Sequence, residues 1–368
     1  MSLALKELRR RPGRFLIATA VLTFIVLLIT MLGGLLDGLF LGSTGALRAQ
    51  DAELVVYSAD SRDQLLRSQI DPKTRAIVAA VPGVATTSGI GVALVGVRVP
   101  DQSTLADGAV FGYEGNVRGV PAPPPAGEAY VDRRLEANGV RLGQTLQLGR
   151  SAEPVVVKGW VEDTSYLLQG GIWVAPEVWR RVLVGNRPDL ALAPGTFQAL
   201  TIQTAPGAKP ASVAAAIGQA TNNTTSTLTV HDAIYSSPGI KQQASTFNGI
   251  IYTTILVAVL IVGLFFALIT IERTALYGVF KAIGASSRQI VFGLFAQATV
   301  TAVVAFTIGA GIAYGFAALV PPSFPLIVET TRTIQTLFLI EVAALIGAAI
   351  SIRRVIKIDP ASAIGGGA

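Results

Sequence analysis

Apolar positions along this chain fall into two regimes. Near the start, and over the last third, they run almost unbroken; between those regions they come in short bursts split by Gly, Pro and polar residues. The unbroken runs are Phe15–Leu41, whose only charge is Asp37, the uncharged Ile250–Ile271 and Ile290–Val320, and Thr333–Ile352, interrupted only by Glu341. A helix crosses a bilayer with roughly 20 residues, and core helices of water-soluble proteins seldom stay apolar that long, so four membrane spans are predicted. The first run, at about 1.5 Å per residue, would reach roughly 40 Å, so one end projects beyond the hydrocarbon. It is also too long for a signal-peptide core and no A-x-A site follows it, so it reads as a retained span.

The short bursts between the first two spans read differently. Glu53–Tyr57, Gly91–Val99, Pro154–Val161, Phe197–Gln203 and Ser226–Val230 cluster or alternate β-forming residues. Short helices are expected at Asp132–Asn138, at Pro176–Val184, which opens with Pro before Glu177, and at Pro210–Ala220. Pro121–Gly127 is a stiff loop. About 200 residues suffice for a domain with its own core, here of mixed α+β class.

Charge then orients the spans. The first 14 residues, the loop 272–289 and the tail 353–368 hold eleven basic against three acidic residues. That surplus of eight exceeds the +6 of the whole chain, so everything else is net acidic. Positive charge concentrated in short loops marks the cytoplasmic side. The expected order is a cytoplasmic amphipathic segment 1–14, a first span 15–41, an extracytoplasmic domain 42–249, and a second span 250–271. A cytoplasmic loop 272–289 with a short helix follows, then a third span 290–320, an outer loop 321–332, a fourth span 333–352 and a cytoplasmic tail 353–368. The basic residues therefore describe membrane topology, not a nucleic-acid surface. Only 14% of residues are charged and 51% are apolar, which agrees with contact to lipid.

Composition narrows the chemistry. The absence of Cys excludes disulfides and thiolate sites, and a single His excludes a histidine metal cluster. No G-x-S-x-G, H-E-x-x-H or EF-hand loop occurs, His231 beside Asp232 reads as a surface residue, and the carboxylates are scattered. Neither an enzyme nor a bound metal is expected. Within the spans, Gly34, Gly38 and Gly42 share a helical stripe with Met31, and Asp37 lies beside it; the stripe is a candidate packing seam, dimer face or substrate face. Met31 could serve as a soft ligand, or simply fill a gap. Glu341 is costly inside a membrane, so it either responds to protons or substrate, or makes a polar contact to Gln297 or to a hydroxyl on a neighbouring helix. In the loop 272–289, Leu276, Val279, Phe280 and Ile283 fall on one face of a helix over Thr274–Ile283. Gly284 closes that helix and Ser286 or Ser287 caps the next. Such a helix suits a partner's groove or the headgroup layer.

Residues Glu272–Ile290 read E-R-T-x-x-x-G-x-x-K-A-I-G-A-S-x-R-Q-I. This segment resembles the loop after the second span of MacB/FtsX-type (type VII) ABC transporter permeases. The span layout, the closing Arg353–Ala361 with its Asp-Pro-Ala, and the segment Ala129–Leu148 are similar to the same family. The resemblance implies four transmembrane helices with a large extracytoplasmic α+β domain after the first. It also implies a homodimer in the bacterial plasma membrane, working with a separate ATPase subunit that carries ATP and Mg. The chain has no G-x-x-x-x-G-K-[ST] of its own. By this resemblance Glu272, Arg273, Leu276, Val279, Phe280, Lys281, Ile283 and Gly284 belong to a coupling helix that docks on the ATPase and passes its motion outward. Leu3–Ile17 and Ser61–Ile70 look most like the DevC/HrtB branch, which includes haem exporters. The expected function is outward movement of a hydrophobic or amphipathic compound, with haem a candidate substrate and no cofactor on this chain. A lipoprotein-releasing permease and an FtsX-like transducer that activates a cell-wall hydrolase are the alternatives.

Overall fold

The structure, a computed structural model, describes residues 12–190, 192–272, 274–321 and 324–356. Among these the chain order is α1 (Pro12–Arg48), β1 (Leu54–Ser58), α2 (Pro72–Ala79), β2 (Val84–Arg98), β3 (Ala106–Tyr113), β4 (Glu128–Asp132), β5 (Thr145–Leu148), β6 (Glu153–Val161) and β7 (Gly170–Val174). It continues with α3 (Pro176–Asn186), β8 (Ala199–Thr204), α4 (Pro210–Ala220), β9 (Thr225–Thr229), α5 (Val230–Ser236), α6 (Ile240–Glu272), α7 (Thr274–Ala282), α8 (Ser287–Leu319) and α9 (Thr330–Ile356). The described residues form two compact units: a helical unit from residues 12–37, 244–320 and 326–356, and an intervening domain from residues 38–243 with 321, 324 and 325. α1 and α6 each contribute residues to both.

The intervening domain is one nine-stranded sheet in the order β3-β7-β4-β6-β5-β2-β8-β1-β9, and β3 pairs back onto β2. The first six strands therefore close into a ring, while β8, β1 and β9 continue from the other half of β2. That strand is 15 residues long: Val84–Ile90 pairs with β8 and Ile90–Val97 with β3. All pairings are antiparallel except β3–β7 and β4–β6. β3, β4, β5 and β7 escape the sequence pattern because they are short or Gly-interrupted and are stabilised by distant partners. The helix expected at Asp132–Asn138 is a 3-10 turn over Arg133–Asn138, stopped by Gly139 at φ +86.

Amphipathic α3 closes the ring, burying Val178, Trp179, Val182 and Leu183. Trp179 needs a gap, and Gly91 and Gly112, partners across β2 and β3, supply it. A Cβ on Gly91 would lie 2.0 Å from the indole, and one on Gly112 2.6 Å from the Trp179 Cβ. Phe197 stacks on Trp179 with ring centres 5.7 Å apart. A second cluster holds Phe111 stacked on Trp173 at 4.5 Å, with Tyr57 and Tyr166 buried in the same cluster. Burial pushes both phenols well above the ordinary tyrosine range. A third cluster joins β1 and β8 to Val78 of α2 and to Val213 and Ile217 of α4.

Among the described residues, four helices are long and apolar enough to cross a membrane: 16–48, 240–272, 287–319 and 330–350. Each extends past its apolar run at one or both ends, because polar turns such as 240–249 continue the backbone hydrogen bonds of a helix already begun. The four pack through Val26, Ile29, Ala258, Val262, Phe266, Ala298, Ala302 and Ala344. Small residues sit where backbones approach: a Cβ on Gly309 would lie 2.7 Å from Thr23 O of α1, and one on Gly347 2.7 Å from Val262 of α6. On the opposite face of α6, Leu256, Leu260, Leu264 and Leu268 are exposed at four-residue spacing, as a lipid-facing stripe requires.

Candidate functional site

α7 is a separate amphipathic helix directly after α6. Thr274 Oγ1 donates to Thr270 O at 3.0 Å and to Ile271 O at 2.9 Å, holding the junction. At the far end Ala285 N–H donates to Phe280 O at 2.8 Å and Gly284 takes φ +101, a left-handed close that glycine permits. Of the two candidate caps for α8, Ser286 is the one used. Its Oγ accepts from Gln289 N–H at 3.3 Å while Gln289 Oε1 accepts from Ser286 N–H at 2.9 Å, a complete capping box.

The two faces of α7 differ from expectation in one respect. Leu276, Val279 and Ile283 are exposed, Ile283 at 76%. Phe280, grouped with them in the sequence, is half-buried and packs with Tyr277 on the helical unit's own core. Tyr277, which the sequence pattern does not single out, is only 6% exposed. The outward apolar row is therefore Leu276, Val279 and Ile283; the bulky aromatics hold the helix in place. Glu272 and Gly284 are exposed and Lys281 is half-buried. Arg273, residues 1–11 and residues 357–368 lie outside the described residues.

The glycine stripe of α1 is filled by this chain itself. A Cβ on Gly34 would lie 3.1 Å from Ile327 O and from Leu326, and Ile327 N–H donates to Gly34 O at 3.0 Å. Gly38 is buried, and a Cβ on Gly42 would lie 2.7 Å from the Arg134 guanidinium. Near Gly42, the carbonyls of Gly42 and Ser43 accept from Leu168 and Leu167 N–H at 3.0 and 3.1 Å, and Ala46 N–H donates to Ser165 O at 3.0 Å. The glycines thus admit loops, where small-residue spacing alone suggests another helix. Met31 is half-buried on this stripe.

Asp37 is in a bidentate ion pair that the sequence pattern does not foretell. Arg332, in the first turn of α9 where a loop is expected, donates from Nε and Nη2 to the two carboxylate oxygens. The Asp37 side chain is 14% exposed and that of Arg332 33%. Gly33 makes space for the arginine, since a Cβ there would lie 2.6 Å from Arg332 Cδ. Glu341 accepts from Thr299 Oγ1 of α8, one of the contacts expected for it; its Oε2 is enclosed without a hydrogen-bond partner among the described residues. Gln297, also on α8, is buried. No group of three or more His, Cys, Asp or Glu that could hold a metal occurs among the described residues.

Four candidate spans, a sheet-rich domain between the first and second, and a short amphipathic helix directly after the second give the described residues a layout similar to that of FtsX-like permeases. Residues 248–360 match the FtsX-like permease C-terminal family. Over its whole length the chain is 21% identical to a hemin transport system permease protein, HrtB, of Staphylococcus epidermidis, covering 100% of both chains. It is 27% identical to an uncharacterized ABC transporter permease of Mycobacterium tuberculosis, covering 99% of each. Among solved structures, the periplasmic region of MacB from Actinobacillus actinomycetemcomitans aligns with a TM-score of 0.35 and 12% identity, over 53% of this chain and 93% of that one.

Proposed function

We propose that this chain is the membrane subunit of an ABC exporter whose ATP and Mg are bound by a separate ATPase subunit. The exposed row Leu276, Val279 and Ile283 carries this assignment: three apolar side chains on a short helix seated by Tyr277 and Phe280 are suited to a groove on that ATPase. α7 and the termini would then face the cytoplasm, as the basic loops favour, and the intervening domain the opposite side. Two permease copies pair with two ATPase copies. Closing and reopening of the ATPase pair moves α7, and α6 and α1 transmit the motion to the intervening domain, which drives a hydrophobic or amphipathic compound outward from the membrane. Haem is the substrate favoured by the likeness to HrtB, whose name is that of a hemin transport permease, with Met31 on the α1 stripe as a soft ligand for its iron.

Co-purification of the tagged chain with its ATPase tests the coupling surface. A central apolar contact is worth about 2 kcal/mol or more, so Val279→Asp together with Ile283→Asp should abolish association while membrane insertion persists. Retained association in the double variant would show that the ATPase docks elsewhere. Haem titration of the complex tests the substrate: wild type should show a Soret band and haem-stimulated ATPase activity, both reduced in Met31→Leu, a change that nearly conserves volume.

A further inference from the structure

A cavity of about 550 Å³ opens on the intervening domain where β2, the turn between β5 and β6, and the end of α3 meet. Three arginines, Arg98, Arg150 and Arg187, share its lining with apolar Leu94, Val95 and Leu105. Sites for small organic ligands commonly occupy roughly 300–1,000 Å³ and combine an apolar lining with a few placed polar groups.

The walls are built by specific bonds. Gly149 N–H donates to Gly96 O of β2 at 3.0 Å, and Arg150 N–H donates to Asn186 Oδ1 of α3 at 2.7 Å. The turn carrying Arg150 is thereby tied to both neighbouring elements. Gly149 takes φ +65, and a Cβ on it would lie 2.7 Å from the same Asn186 oxygen, so a side chain there would displace the tie. Gly96 in turn leaves room for Leu105, whose Cδ1 would lie 2.9 Å from an added Cβ.

Charge decides what fits. Some other arginines of this domain have carboxylate partners: Arg48 with Asp163, Arg75 with Glu114, Arg133 with Glu162. Glu153, three residues from Arg150, is held by Arg181 at 2.6 Å. Arg98, Arg150 and Arg187 make no ion pair among the described residues. Three guanidinium groups around one cavity raise its potential, and each presents a fork that matches carboxylate or phosphate oxygens. The C-terminal end of α3, which carries partial negative charge, would by itself disfavour an anion, so the arginines must supply the attraction.

We propose that this cavity binds a small amphipathic anion, its phosphate or carboxylate head among Arg98, Arg150 and Arg187 and a short hydrocarbon body against Leu94 and Leu105. The site lies wholly within the intervening domain and does not depend on the transport assignment.

The test uses the full-length chain in phosphatidylcholine nanodiscs, titrated by calorimetry with hexyl phosphate, inorganic phosphate and hexanol. Hexyl phosphate should bind at least tenfold more tightly than inorganic phosphate, and hexanol should not bind. Arg150→Gln and Arg187→Gln should each weaken hexyl phosphate about tenfold, the loss of one charged hydrogen-bonding group. Leu105→Ser should weaken hexyl phosphate about fivefold and leave inorganic phosphate unchanged. None of these side chains is in an ion pair, so unchanged unfolding midpoints are expected and confirm that each variant folds. Repeating the titration in phosphatidylglycerol nanodiscs separates two sources of the same chemistry: competition identifies a lipid headgroup, undiminished affinity a free solute. Hexyl phosphate binding no better than inorganic phosphate, or with equal affinity to the Arg150→Gln/Arg187→Gln double variant, overturns the proposal.

Discussion

Several single residues have roles set by atoms distant in sequence. Gly91 lies in an ordinary β-forming run, yet Trp179 occupies the space its side chain would need. Gly91→Ala should therefore cost about 1–3 kcal/mol of domain stability through overpacking, seen as a lower denaturant midpoint by tryptophan fluorescence. Asp37 behaves similarly on α1, where its carboxylate is matched by both arms of Arg332. Removing one member of a well-buried pair costs about 3–5 kcal/mol, but Arg332 is a third exposed, so solvent screens part of the loss. Asp37→Asn should lower stability by about 1–2 kcal/mol in a thermal melt of the detergent-solubilised chain. Arg332→Gln added to it should cost little more, because the two side chains share one interaction.

At the scale of elements, α7 separates into a seated face and a presented face, and the two should fail differently. Tyr277→Ala removes a buried aromatic from the helical core and should lower the thermal midpoint, with a cost of about 3 kcal/mol typical for such truncations. Val279→Ala, on the exposed row, should leave the midpoint unchanged and weaken ATPase association. Equal effects of the two variants on both readouts would mean that α7 has no such division. The long β2 illustrates the same scale in the intervening domain. One strand serves both the closed ring and the β8-β1-β9 extension, so its central residues near Ile90 bind the two parts into one sheet.

For the whole molecule, sidedness can be measured directly. The chain has no Cys, so single cysteines can be introduced without background. Ala282→Cys at the end of α7 should react with a membrane-impermeant maleimide only after cells are opened, and Ala126→Cys in the proline loop should react in intact spheroplasts. Both positions are exposed. The opposite pattern would reverse the inside and outside assigned from the basic loops.

The four spans, the amphipathic helix after the second, its glycine close and serine cap, and the α+β class of the large domain are all legible in the sequence. Each rests on local physics: sustained apolar length, helical periodicity and capping chemistry act between near neighbours. The ring of strands, the partners of Asp37 and Glu341, the inward turn of Phe280, the loops that fill the glycine stripe and the arginine-lined cavity are not legible. Each depends on contacts between segments tens to hundreds of residues apart, such as Gly91 with Trp179 or Asp37 with Arg332. Small-residue spacing shows that something must approach α1 closely. It does not say whether that is a helix, a loop or a second copy, because the missing Cβ leaves the same space for all three, and only the tertiary structure supplies the occupant.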